Sequence, residues 1–456
     1  MTNNVKSERD SFSNRFAVVA AVAGSAIGLG NIWRFPYLAG ENGGGAFLLV
    51  YLFCVVVIGI PVMTSEFIIG RSAQLNPYGA FKKLAPRKPW YLIGIMGVAA
   101  AFMILAFYTT VAGWTLEYFY QSLTGNLLGR TDIELTNMFD SFLKSSFRPI
   151  LWFIVFMGLT AFIIISGVKE GIEKYTKIMM PFLFLILILM CIRSLTLPGG
   201  KAGLQFLFHP DMNKITPKVI LEALGQSFFS LSIGMGTLIT YGSYIRKNEN
   251  LVLSAGLVSL ADTSVAVLAG IAIFPAVFAL GGSPASGTGL TFIVLPGIFD
   301  KMPLGSVFAF MFFLLLSIAA LTSTISVLEV IVAYLVEELK MSRKKATIAA
   351  SLSVSILGLL TVLSYGALSN LQVGGRNIFG ILEFLTSNIM LPIGGLFIVI
   401  FIGWFYSKDL TKREFTNEGS LKGTLLPTYI FIVKFVAPVA IARSEERRVG
   451  KECRLT

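Results

Sequence analysis

Residues 21–37 read AVAGSAIGLGNIWRFPY, an apolar run interrupted where a membrane helix would be continuous. Gly24, Gly28 and Gly30 lead into Asn31, Arg34 and Pro36. Glycine and proline weaken a helix, and a charge in hydrocarbon is expensive. The run therefore predicts a helix that breaks inside the membrane. An unwound turn frees N–H and C=O groups, which a bilayer tolerates only where protein or a cavity supplies partners. A freed carbonyl suits a hard cation such as Na⁺. The amides that open the following half-helix, at its positive dipole end, suit a carboxylate. Close helix packing is the plainer reading of the glycines in one segment alone.

A second segment repeats the feature. SIGMGT at 232–237 matches AIGLGN at 26–31: a small residue, Ile-Gly-X-Gly, then a polar residue, again within an apolar run. The copies lie five segments apart, so the second enters the membrane from the opposite side. Matched interruptions in two halves point to a transport site near the midplane.

Composition sets the wider frame. The chain has 456 residues, 55% hydrophobic and 14% charged, with mean hydropathy +0.76, too apolar for a soluble protein of this size. Membrane-length apolar segments fall at about 15–38, 44–70, 90–123, 149–166, 173–195, 217–245, 251–282, 304–339, 343–363, 378–406 and 424–442. They are too long and continuous for barrel strands, so the expected fold class is an all-α polytopic membrane protein. The net charge of +12 follows topology and not nucleic acid. With the N-terminus cytoplasmic, Arg71, Lys82, Lys83, Arg87, Lys88, Arg343, Lys344 and Lys345 fall on the inside, as short-loop charge bias requires. The expected organisation is a cytoplasmic tail at 1–14, a five-helix unit at 15–195 and an extracellular loop at 196–216. An inverted five-helix unit follows at 217–406, then an eleventh helix at 424–442 that holds Lys434, and a polar tail at 443–456, set aside as unrelated to the rest.

The polar start, MTNNVKSERDSFSNRF, is not built like a signal peptide. Cys54, Cys191 and Cys453 offer neither a disulfide framework nor metal spacing. His209, the one histidine, reads as a solvated loop residue, which removes any His-based catalytic set. The chain is not read as an enzyme.

GSAIGLGNIWRFPYLAGENGGGAF at 24–47 resembles the first-helix signature of the neurotransmitter:sodium symporters. GQSFFSLSIGMG at 225–236 is similar to their sixth helix, and ALTSTIS at 320–326 to their eighth. The resemblance covers roughly 9–406 and is strongest to bacterial amino-acid transporters with eleven helices. It implies two five-helix inverted repeats with broken helices 1 and 6, a leucine-transporter-like fold, plus one extra helix. It also implies a sodium-coupled amino-acid importer in the cell inner (plasma) membrane, working by alternating access. A non-transporting amino-acid sensor on the same fold is the alternative.

Carried over by position, the resemblance implies two sodium sites. The first takes Ala26, Asn31, Ser230 and Asp262; the second takes Gly24, Ile27, Ala319, Thr322 and Ser323. Hydroxyls such as those of Thr322 and Ser323 also commonly bond back to their own helix. Asp262 stands where much of the family has Asn. Chloride-dependent relatives have a hydroxyl where this chain has Ala266; Tyr51, Gln226 and Ser230 match the rest of that anion site. Asp262 is then expected to bring the negative charge itself, making transport chloride-independent; a buried, protonated carboxyl is the other reading.

The implied substrate pocket has the amides of Leu29 and Gly30 and the Tyr108 hydroxyl for a carboxylate, with carbonyls near Ala26 and Phe229 for an amino group. Its wall is Ile104, Phe229, Ser232, Met235, Ser323 and Val327. That wall is apolar and suits a hydrophobic or aromatic side chain. Met235 either shifts to admit larger groups or simply fills space. Monoamine carriers place an aspartate at position 28; here it is Gly28, which leaves room for a substrate that brings its own carboxylate. The implied gates are Arg34 with Glu383 outside, beside Gln226, and Arg9 with Glu337 inside, near Phe12 and Tyr244. Gly171 and Pro181 match a spacing at which the fifth helix unwinds, and a plain proline kink is the alternative.

Overall fold

The computed structural model describes residues 11–285 and 289–443. Among them the chain is helical between loops, with one isolated bridge between Val373 and Arg376. Arg9, Cys453 and residues 444–456 lie outside the described residues.

Eleven elements follow the expected segments. We label them α1 (two halves, Arg15–Ala26 and Gly30–Glu41), α2 (Gly45–Ala73), α3 (Tyr91–Leu123), α4 (Phe147–Ile165), α5 (Val168–Leu195), α6 (two halves, Pro217–Ser230 and Thr237–Gly242), α7 (Leu251–Ala279), α8 (Gly305–Glu338), α9 (Arg343–Leu363), α10 (Ile378–Phe405) and α11 (Leu426–Arg443). The halves of α1 meet at 51°. The multi-pass membrane character rests on these lengths and their hydropathy.

Local chemistry sets the ends. The Asn14, Thr216, Asn250 and Asn377 side chains accept from the backbone N–H groups of Ala17, Val219, Leu253 and Gly380, capping α1, α6, α7 and α10. Outside the spans, Thr131 and Glu134 form a capping box on the surface helix Asp132–Lys144. The Thr131 donors hold the Glu134 carboxyl below its usual range.

Five prolines share one local arrangement, while Pro181 and Pro275 lie inside unbroken α-helix. The π-helical turns Gly30–Arg34, Val55–Gly59, Leu290–Val294, Leu385–Met390 and Ile432–Val436 each end two residues before a proline: Pro36, Pro61, Pro296, Pro392 and Pro438. The proline ring would meet the carbonyl one turn back, and proline has no N–H for it. One extra residue in the preceding turn re-aims that carbonyl and lets the helix continue.

The boundary of α5 differs from expectation. It begins at Val168 rather than 173, because the polar VKEGIE run forms a π turn, Val168–Glu173, that joins the helix. From there the chain is wound through Pro181 to Leu195, so the Gly171–Pro181 interval is not unwound.

The broken elements lie at the centre. The first half of α1 packs on α5, α7 and α8, while α6 lies against α2 and the start of the second half of α1. α8 runs along α3, and α7 along α5. In lipid, helices associate by close packing and interhelical hydrogen bonds, each about 0.6–2 kcal/mol. Such bonds join Thr110 to Thr361 at 2.6 Å, Thr160 to Thr324 at 2.9 Å and Ser65 to Tyr429 at 2.7 Å. Leu352 and Ile356 of α9 and Phe162 of α4 face outward, toward lipid in this reading.

Candidate functional site

The first half of α1 ends at Ala26, and Ile27 leaves the helix with φ −72° and ψ 106°. The carbonyls of Gly24 to Ile27 thereby lose their donors four residues on. Side chains of α8 turn toward them. Thr322 Oγ1 donates to the Ile27 carbonyl at 3.3 Å and to the Ala319 carbonyl at 3.0 Å. Ser323 Oγ reaches the Ser25 and Ile27 carbonyls at 3.3 and 3.4 Å. Gly24 packs beside Thr322 and Thr176. Gly24, Ile27, Ala319, Thr322 and Ser323 therefore come together, with hydroxyl and carbonyl oxygens as the donor set. No group of three or more His, Cys, Asp or Glu exists among the described residues, so chemistry suited to a transition metal is not built here.

A second oxygen cluster forms one turn along. Asn31 Oδ1 accepts the Gly28 N–H at 3.0 Å, and Asn31 Nδ2 donates to Asp262 Oδ1 at 2.7 Å and Ser230 Oγ at 3.0 Å. Ser230 Oγ donates to Asp262 Oδ2 at 2.8 Å, and the Tyr51 hydroxyl donates to the same oxygen at 3.3 Å. Asp262 is completely buried. A buried carboxylate is costly unless it is hydrogen-bonded or paired with a cation, and this one has three side-chain donors around it. Ala266 is buried one turn on and has no polar group. Gln226, matched to this cluster and also to a place beside Arg34, donates to the Gly30 carbonyl at 2.7 Å and accepts from Arg34 at 2.9 Å.

Beside the two clusters lies a small cavity of about 20 Å³, lined by Ser25, Ala26, Gly28, Gly30, Ile104, Tyr108, Phe229, Ser232, Met235, Ser323 and Val327. Every expected wall residue is present. Leu29 contributes through its N–H, which donates to the Tyr108 hydroxyl at 2.9 Å. That room is about one water, so any larger occupant needs the walls to move. A Cβ at position 28 would overlap Ser323 Oγ and stand 2.5 Å from the Tyr108 hydroxyl, so glycine is the residue that fits this close approach.

The break in α6 forms the opposite wall. Ser232, Gly234 and Gly236 all have positive φ, a backbone that glycine adopts readily and serine does not. Ser232 Oγ donates to the Ser25 carbonyl at 3.2 Å, tying the two breaks together.

The two ends of the helix bundle differ. Beside the second half of α1, a cavity of about 420 Å³ is lined in part by Arg34, Tyr37, Lys218, Glu222, Arg376 and Glu383. Arg34 and Glu383 share that cavity but form no ion pair among those described. Arg34 bonds Gln226 and lies over the Phe229 ring, 4.9 Å from its centroid. Arg34 and Phe229 thus form the layer between the larger and the smaller cavity. At the other end Phe12 is fully buried, edge-on to Tyr241 and Tyr244. Tyr244 donates to Glu329 at 2.7 Å, and Arg343 holds Glu329 at 2.6 Å. Glu337 accepts from the Asn76 backbone and side chain at 2.7 and 2.9 Å; its expected partner Arg9 lies outside the described residues.

Sequence reasoning missed Ser25, Glu66 and Glu329. Ser25 is a small residue in a run of small residues, and only the fold shows that its carbonyl links both breaks. Glu66 and Glu329 could have been found, since each is a carboxylate inside an apolar segment. Glu66 is fully buried on α2 and accepts the Gly234 N–H at 2.8 Å, in the middle of the α6 break.

Comparison with known proteins adds to this geometry. The profile of the Sodium:neurotransmitter symporter family matches residues 9–134 and 133–444. The chain is 40% identical over 430 residues to YhdH of Bacillus subtilis (strain 168), named an uncharacterized sodium-dependent transporter; the match covers 94% of this chain and 95% of that protein. It is 30% identical over 469 residues to the sodium- and chloride-dependent GABA transporter 2 of Rattus norvegicus, covering 91% of this chain and 76% of the relative. A crystal structure of MhsT in complex with L-phenylalanine superposes with a TM-score of 0.89 at 46% identity, covering 96% of this chain and 99% of that one.

Proposed function

The chain belongs to the sodium:neurotransmitter symporter family, a family of transporters and not of enzymes, and from that premise we propose that it imports an amino acid with a hydrophobic or aromatic side chain, driven by sodium and without need of chloride. The observation that carries the substrate class is the packing at Gly28. No side chain fits there, so the protein supplies no carboxylate of its own to an amine. The substrate carboxylate instead meets the amides of Leu29 and Gly30, at the start of a half-helix whose dipole favours an anion, and Tyr108 donates to it. The amino group meets carbonyls near Ala26 and Phe229. Ile104, Phe229, Met235 and Val327 surround the side chain with apolar surface. L-phenylalanine in the related MhsT structure supports this class.

Two sodium ions accompany it. One lies at Ala26, Asn31, Ser230 and Asp262, next to the substrate carboxylate. The other lies at Gly24, Ile27, Ala319, Thr322 and Ser323, between α1 and α8. Asp262 supplies a fixed negative charge to the first site, which is the role chloride takes in relatives that need it. Alternating access opens the Arg34–Phe229 layer and the Phe12 side in turn, with the Arg34–Glu383 pair closing the outside and the Arg9–Glu337 pair the inside. The protein resides in the plasma membrane with its N-terminus in the cytoplasm.

Uptake of each of the twenty amino acids, and of the corresponding amines, into proteoliposomes under an inward Na⁺ gradient tests this reading. Hydrophobic and aromatic amino acids should accumulate and amines should not. Accumulation of an amine would contradict the substrate class. Saturable binding without flux would contradict transport and favour a sensor.

A further inference from the structure

α11 carries a membrane-embedded cation that transport does not use. Lys434 sits in the π turn Ile432–Val436, and this turn meets the π turn Phe401–Phe405 of α10. The crossing is close because residue 403 is glycine: a Cβ there would stand 3.1 Å from Lys434 Cγ and 3.3 Å from its Cα. The lysine stem therefore lies on the bare face of Gly403, and its ammonium sits over the Trp404 ring, 5.0 Å from the centroid. The Trp404 indole N–H donates to the Lys434 carbonyl at 3.3 Å. The pair holds itself in place.

Among the described residues no carboxylate pairs with Lys434. The surroundings are apolar and outward-facing: Trp404 is 58% exposed with Phe435 edge-on to it and Phe431 beside Phe435, and Phe405, 63% exposed, packs on Trp90. Trp404 is next to the last residue of α10, and the polar helix Lys408–Phe415 follows. Lys434 itself is midway along α11, and its ammonium reaches the Trp404 ring near the end of α10 that leads into the polar helix, as a snorkelling lysine does. A lysine bent back over an indole, with hydrocarbon around it, keeps its charge at a cost unless an anion arrives.

We propose that the α10–α11 crossing is a binding site for an anionic phospholipid. The headgroup phosphate pairs with Lys434 Nζ above Trp404, and the acyl chains lie along Phe405, Phe431 and Phe435. Charge complementarity selects the headgroup, and the exposed aromatic surface selects a lipid over a soluble anion. The site lies apart from both cation clusters and the substrate cavity, so it does not depend on their assignment.

The test uses the full chain in phosphatidylcholine nanodiscs that contain either brominated phosphatidylglycerol or brominated phosphatidylcholine, with tryptophan quenching as the readout. Trp404→Phe identifies the Trp404 contribution. That contribution should be quenched by the glycerol lipid at about five-fold lower mole fraction than by the choline lipid, the factor one basic residue near a membrane surface contributes. Lys434→Arg should keep the preference and Lys434→Gln should lose it. Equal quenching by both lipids, or an unchanged preference in Lys434→Gln, overturns the proposal. Loss of the preference on adding millimolar inorganic phosphate also overturns it, by making the occupant a free anion.

Discussion

At position 28 the backbone runs so close to Ser323 and Tyr108 that even a methyl group would collide with them. Gly28→Ala forces one of these groups, or the break itself, to shift, an overpacking cost of about 1–3 kcal/mol. Binding of a labelled hydrophobic amino acid should weaken by about ten-fold or more. A change under about two-fold would mean the pocket has slack that the packing does not show. Asp262 offers a second test at this scale. Asp262→Asn keeps the volume but removes the charge that Asn31, Ser230 and Tyr51 surround. The Na⁺ concentration for half-maximal uptake should rise about ten-fold or more, given the strength of interactions with a charged group. An unchanged Na⁺ dependence would remove Asp262 from the first sodium site.

Among the elements, the breaks of α1 and α6 were legible because glycine and polar residues stand out in an apolar run, and because the same pattern occurs twice. The second break is held open by Glu66 at the Gly234 N–H and by Ser232 at the Ser25 carbonyl. Both links join residues far apart in sequence, which no local pattern reports. The sequence expectations do not extend to Pro61, Pro296, Pro392 and Pro438, where the chain widens one turn before each proline and stays helical. The start of α5 was hidden because a π turn can carry charged residues that look like a loop. The lining of the small central cavity was readable by resemblance to a family. Gln226 beside Arg34 was readable in the same way; the stacking of Arg34 on Phe229 was not, because long side chains choose partners only once the helices are assembled. One element-level contact is open to direct test. Arg71, at the end of α2, is buried and donates to Glu414, to the carbonyls of Glu249 and Glu414, and to Asn417. It joins α2, the loop after α6 and the helix after α10. Arg71→Ala leaves these acceptors without a donor, a loss of about 3–5 kcal/mol for a buried pair. Thermal unfolding should show a clearly lowered Tm, with uptake per folded molecule retained; an unaltered Tm would contradict this role.

For the whole molecule, the proposed pathway would be closed at the buried Phe12 and stopped at the Arg34–Phe229 layer between the two cavities. Arg34→Ala should leave substrate binding measurable and lower net uptake about ten-fold or more, since a gate acts on the conformational cycle. Uptake at the level of the unaltered protein would refute the outer-gate role. The central claim is that an inward Na⁺ gradient alone drives concentrative entry of a hydrophobic amino acid. Its most direct test is accumulation of labelled L-phenylalanine in proteoliposomes with gluconate replacing chloride on both sides. We expect accumulation above the equilibrium level that persists without chloride and collapses when the Na⁺ gradient is dissipated. Accumulation that never exceeds equilibrium, or that disappears with gluconate, would contradict the account.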